Sequence, residues 1–158
     1  MGQVDIIGVE EPVSVDHSQS LAPLLGQVRM AMVNGVDQEF LRDAEVAPLE
    51  ITAAQFVILA NVLKGNAKSA CELCNFMDYD RGAMSRMIDR LETKGLLRRV
   101  PLAHTRRTMA LEVTDAGRAA FPKMQACLSR VIDRLLTGVS QSEVRAVERT
   151  LRRILANS

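Results

Sequence analysis

Between Asp80 and Val113 the hydrophobic period of the chain changes once, at Gly95, and this switch restricts the possible fold more than any other feature. Before the glycine, "DRGAMSRMIDRLETK" sets Ala83, Met84, Met87, Ile88 and Leu91 at spacings of three and four, the stripe of a helix buried along one side. Arg81, Ser85, Arg86 and Lys94 fall largely outside that stripe, with Asp89 and Arg90 nearer its margins. After the glycine the spacing drops to about two. "LLRRVP" and "RTMALEV" read as short strands joined by a tight, basic turn, "LAHTRR". Asp80 suits the N-cap of the helix, and Gly95 suits its end.

The flanking segments are helical. Residues 1–18 mix Val and Ile with acids, Gly and Pro and keep no period, which predicts a flexible N-terminal arm. Residues 19–50 carry Leu21, Leu24, Leu25, Val28, Met32, Val36 and Phe40 at helical spacing. Residues 51–113 open with a capping box from Thr52 to Gln55, continue through a helix that stops at Gly65, and add a short helix from about Ser69 to Phe76. In that short helix Leu73, Cys74 and Met77 face inward, and the turn "MDYD" leads to Asp80. Residues 114–158 form two more helices. The first carries Phe121, Met124, Leu128, Val131, Ile132 and Leu135; the second begins at a capping box from Ser140 to Glu143 and carries Val144, Val147, Leu151, Ile154 and Leu155. The expected fold is mainly α with a small β-hairpin: a winged helix-turn-helix lobe between N- and C-terminal helices.

A formal net charge of +1 hides a strong local asymmetry. The first fifty residues hold nine acids and two bases, whereas Arg81 to Arg107 holds eight bases and two acids. A concentrated basic segment on a helix and the hairpin after it is the footprint of a polyanion-binding surface. The major groove of duplex DNA admits one α-helix, and Arg and Ser on its outer face reach base-edge acceptors and phosphates. Arg81, Ser85 and Arg86 are therefore candidate recognition-helix contacts. Arg90 is either a phosphate contact or a structural partner of Asp89, Glu92 or an acid on a neighbouring helix. His104, Arg106 and Arg107 are candidate wing contacts, since a basic hairpin tip has little to pack against.

Other classes are poorly supported. An aromatic content of 3% without Trp argues against a stacking platform for single strands. With two histidines, no phosphate-binding glycine loop and no nucleophile beside a base, an enzyme is not expected, nor is a cofactor. There is no apolar run of the length a membrane span needs and no signal-peptide pattern, so a soluble, cytoplasmic protein is expected. A chain of 158 residues, 47% of them hydrophobic, is long enough to bury a core.

From about Ile51 to Gly117 the sequence resembles the MarR (multiple antibiotic resistance regulator) family of transcription factors. The resemblance lies in "LEITAAQFVILANV", "DRGAMSRMIDRLETKGLLRR" and "RRTMALEVTDAGR", held in register. It implies a homodimer joined through the terminal helices, with two recognition helices reading a palindromic operator in double-stranded DNA. It also implies a repressor released by a small, often aromatic or phenolic, effector. One position departs from the family pattern: the wing there reads Asp-Arg-Arg, the acid orienting an arginine, and here the acid is replaced by Thr105.

Two groups leave alternatives open. Arg29, the one base in the apolar part of the first helix, could anchor a carboxylate effector or pair with an acid across a dimer; the acid-rich N-terminal half favours the pair. Cys71 and Cys74 form a CxxC, but a zinc site would need further ligands, and no metal is expected. Core packing suits Cys74. A thiol-based redox response through Cys71, Cys74 or Cys127 is one alternative function, and a winged-helix module that binds protein instead of DNA is another.

Overall fold

The structure, a computed structural model, describes residues 17–102 and 105–157. The elements are α1 (His17–Arg42), a 3₁₀ turn (Ala47–Leu49), α2 (Ala53–Leu63), α3 (Ala70–Met77), α4 (Arg81–Thr93), β1 (Leu97–Leu102), β2 (Thr105–Val113), α5 (Asp115–Leu135) and α6 (Gln141–Leu155). Most of the expected N-terminal arm, and His104, lie outside the described residues. The contact pattern divides the chain inside α1, between Ala31 and Met32. Among the described helices none is long and apolar enough to cross a membrane.

The helix boundaries follow from local chemistry. Thr52 and Ser140 each begin a capping box, the hydroxyl accepting from the backbone N–H three residues on while Gln55 or Glu143 reaches back to the cap. Asp80 accepts from the Ala83 N–H at 2.8 Å and starts α4. α3 ends at Asp78, which takes a left-handed conformation (φ 53°), and only Asp78, Tyr79 and Asp80 separate it from α4. That tight turn makes α3 and α4 a helix-turn-helix pair. α4 ends before Gly95, whose φ of 69° lets the chain leave the helix and enter β1.

From Met32 onward the chain builds one core. Met84, Ile88 and Leu91 of α4, Leu73 of α3, Ile58 and Leu59 of α2, Leu97 of β1, and Met124 and Val131 of α5 are all buried. Phe56 packs edge-on to Phe40 at 5.9 Å between ring centres and stacks on Phe121 at 5.3 Å, joining the end of α1 to α2 and α5. The half-buried Cys74, Met77 and Met87 pack against this cluster.

β1 and β2 pair antiparallel from Leu97 opposite Val113 to Leu102 opposite Thr105. The sequence reading placed residues 102–107 in the turn. In the structure β2 begins at Thr105, opposite Leu102, and the register shifts between Pro101, opposite Met109, and Leu102, so residues 106–108 belong to β2 at this irregularity. The β-branched Thr105 and Thr108 around the two arginines suit strand backbone, and charge alone does not make a turn. The Leu111 N–H donates to the Lys68 carbonyl at 2.9 Å, fastening the hairpin to the segment just before α3.

The junction from β2 into α5 leaves no room for a side chain at Gly117. A β-carbon there would stand 2.3 Å from the Leu96 carbonyl oxygen. Thr114 completes the joint, its hydroxyl donating to the Gly95 carbonyl at 2.6 Å and accepting from the Gly117 N–H at 3.0 Å.

The acids at the end of α1 and just beyond it pair within the chain. Glu39, almost completely buried, accepts from Arg130 at 2.6 Å and Arg134 at 2.8 Å, and Asp43 accepts from Arg130 at 2.6 Å. Glu45 accepts from Lys123 at 2.6 Å. Arg29 is exposed on α1 and has no carboxylate within 4 Å among the described residues.

The guanidinium groups of Arg130 and Arg134 hold the Glu39 carboxyl below its usual value of 4.5, and Arg130 does the same for Asp43. A folded-state value depressed in this way contributes stability above the unfolded pKa and loses it as pH falls through the folded value. The melting temperature is therefore expected to fall as the pH drops below about 4.5. Glu39→Gln should melt lower at neutral pH and show a shallower acid-side fall, as thermal unfolding between pH 3 and 7 would reveal. A variant as acid-sensitive as the parent would remove Glu39 from the account.

Candidate nucleic-acid interface

The buried stripe of α4 fixes which side chains it presents outward. With Met84, Ile88 and Leu91 fully covered, the 3.6-residue period turns Arg81, Ser85, Arg86 and Arg90 to solvent, and all four are exposed. Among the described residues no carboxylate lies within 4 Å of Arg81, Arg86 or Arg90. These cations on one helix face are thus not neutralised by local pairs.

The acids that could have neutralised Arg90 are held elsewhere. Arg99 of β1 donates to Asp89 at 2.8 Å and pairs with Glu92, and its backbone N–H also donates to Glu92 at 2.8 Å. Arg99 therefore clamps β1 to α4, a role the sequence reading missed. The signal was available: a period of two puts Arg99 on the same face of β1 as the buried Leu97, toward α4. Arg90 instead lines an open groove of about 510 Å³ with Glu50, Thr52, Gln55, Thr93 and Lys94.

The basic segment thus divides in two. Arg98 pairs across the hairpin with Glu112 at 2.7 Å, and Lys94 donates to the Leu49 carbonyl at 2.8 Å and lies 3.7 Å from Glu50. Arg98, Arg99 and Lys94 serve the lobe's own structure. Arg81, Arg86 and Arg90 face outward on α4, and Arg106 and Arg107 stand near the hairpin end of β2, where the backbone alone is described. Thr105, in place of the family's wing acid, pairs in register with Leu102.

The cysteines separate as well. Cys71 is exposed, Cys74 half-buried and Cys127 fully buried. Burial and the negative charge of Asp43 push the Cys127 thiol above its usual value, against the opposing pull of Arg130, which lies 3.1 Å from the sulfur. Burial sets Cys127 apart from Cys71, which is open to solvent.

A model of the MarR family matches residues 49–108, from the 3₁₀ turn to β2. The multiple antibiotic resistance protein MarR of Escherichia coli is 30% identical over 125 residues, 78% of this chain and 86% of that protein. Among solved structures, a cysteine-to-serine mutant of E. coli MarR complexed with operator DNA superposes with a TM-score of 0.73 at 25% identity, covering 89% of this chain and 98% of that one. The transcriptional regulator BldR from Sulfolobus solfataricus gives a TM-score of 0.78 at 21% identity, covering 92% of this chain and 99% of that one, a likeness of fold.

Proposed function

The chain belongs to the MarR family, and from that premise we propose that it is a DNA-binding transcriptional regulator acting as a homodimeric repressor on a palindromic operator. The observation that carries this reading is the outward face of α4, where Arg81, Ser85, Arg86 and Arg90 are exposed and the cations have no paired acid among the described residues. A helix stabilised from behind by Met84, Ile88 and Leu91 and braced by Arg99 presents these donors as one rigid unit to the major groove. Arg106 and Arg107 on β2 extend the same charge along the duplex, toward the backbone or the minor groove.

The homodimer rests on uncovered apolar surface. Leu21, Leu24, Leu25 and Val28 are exposed on α1, as are Val147, Leu151 and Ile154 on α6, and α6 buries none of its residues in the chain. Two helices with such faces are stable in water when a second copy covers them. Release by a small aromatic or phenolic effector follows from the family resemblance alone.

The wing provides a quantitative test. Arg107→Ala should weaken binding to operator and unrelated duplex alike and reduce the slope of log affinity against log salt by about one unit, the counterions released by one phosphate contact. Fluorescence anisotropy at several salt concentrations reads both effects. An unaltered slope would remove the wing from the contact surface.

A further inference from the structure

The CxxC of α3 opens into a cleft of about 320 Å³ lined by Ala70, Cys71, Cys74 and Arg81. Both are free cysteines, Cys71 exposed to solvent and Cys74 half-buried. The cleft thus brings two sulfur ligands and one guanidinium together at the helix-turn-helix, with Arg81 the first residue of the recognition helix.

Helix geometry decides what two such thiols can hold. Residues three apart on a helix have β-carbons about 5–6 Å apart. A disulfide draws its β-carbons to about 3.5–4.5 Å, closer than that spacing, so holding one ion between the two thiols asks less movement of the pair. Two thiolates three residues apart on one helix face both reach an ion placed between them, each through a metal–sulfur bond of about 2.3 Å. A tetrahedral zinc site would need further protein ligands, and no group of three or more metal-ligating side chains occurs among the described residues. A soft monovalent cation in two-coordinate geometry needs none.

The charge balance agrees. Binding forms two metal–sulfur bonds and breaks two S–H bonds, releasing two protons to solvent with no change of oxidation state. Two thiolates and one monovalent cation leave a net charge of −1, and Arg81 supplies the complementary charge in the same cleft.

We propose that Cys71, Cys74 and Arg81 form a binding site for a soft monovalent cation, and that its occupation draws Arg81 away from DNA and loosens operator binding. The second half rests on the DNA-binding reading above; the first does not. The site shares no side chain with the Arg90 groove.

The test uses the purified full chain with a phosphine reductant, Ag⁺ as the probe, and free methionine in excess to suppress thioether binding. Native mass spectrometry should show one Ag⁺ per chain, lost in Cys71→Ser and in Cys74→Ala; Cys71 is exposed, so its variant keeps the fold. Equal uptake by both variants would overturn the site. On promoter-region duplex, Ag⁺ should lower the affinity of the parent protein about tenfold, the scale of one lost arginine contact. Cys71→Ser should be insensitive, and Arg81→Ala should start weaker and lose nothing further. Uptake as expected with full duplex affinity would overturn the coupling to Arg81. If metal-free protein ignores the duplex, the regulator reading fails, and the Ag⁺ stoichiometry still decides the site.

Discussion

Val147→Glu with Leu151→Glu is expected to convert the protein from dimer to monomer and to lower operator affinity by at least about a hundredfold. Both side chains are exposed on α6 in the single chain, so the substitutions remove nothing from its core. In a dimer each copy would bring two carboxylates into the apolar seam, and burying an unpaired charge costs several kcal/mol. Loss of the dimer also halves the phosphate and base contacts available to one binding event. Because those contacts act through one rigid assembly, the loss in affinity exceeds the loss of either half-site alone. Size-exclusion chromatography with light scattering reads the mass, and anisotropy reads the affinity. A variant that remains dimeric would place the interface elsewhere than on α6.

Arg86→Ala should abolish most of the preference for operator over single-base variants while leaving the dimer and its melting temperature unchanged. Arg86 lies on the middle of the exposed face of α4 and has no paired acid among the described residues, so its removal breaks no internal contact that would confuse the result. A bidentate arginine contact to a base edge is worth about 1–3 kcal/mol, roughly a 5- to 150-fold loss of discrimination. The loss should be confined to one position in each half-site. Selectivity equal to the parent's would mean that α4 does not read base edges through this residue.

The parts of the molecule that depend on neighbours in sequence were legible in advance. The capping boxes at Thr52 and Ser140, the Asp80 cap and the left-handed Gly95 need only a few adjacent residues, and the structure has each of them. The stripe of α4 was equally readable, because burying Met84, Ile88 and Leu91 fixes what faces outward.

What escaped depends on contacts distant in sequence. Glu39 meets Arg130 and Arg134 across 91 and 95 residues, and no local pattern names those partners. The basic segment looked uniform because composition cannot separate an arginine held by its own fold from one left free. Arg98 and Arg99 are adjacent, yet opposite faces of one strand send the first to Glu112 and the second to Asp89 and Glu92. The hairpin turn was drawn too wide because no local pattern marks where β2 begins: the strand starts at Thr105, beyond a register shift at Leu102.

The central claim is that the outward face of α4 and the wing bind a specific duplex. Its most direct test is a titration of the purified protein against its own promoter-region DNA at two salt concentrations, with an unrelated duplex of equal length as control. The account predicts tight binding to the promoter duplex, much weaker binding to the control, and a steep loss of affinity for both as salt rises. Equal, weak and salt-insensitive binding to the two duplexes would contradict it.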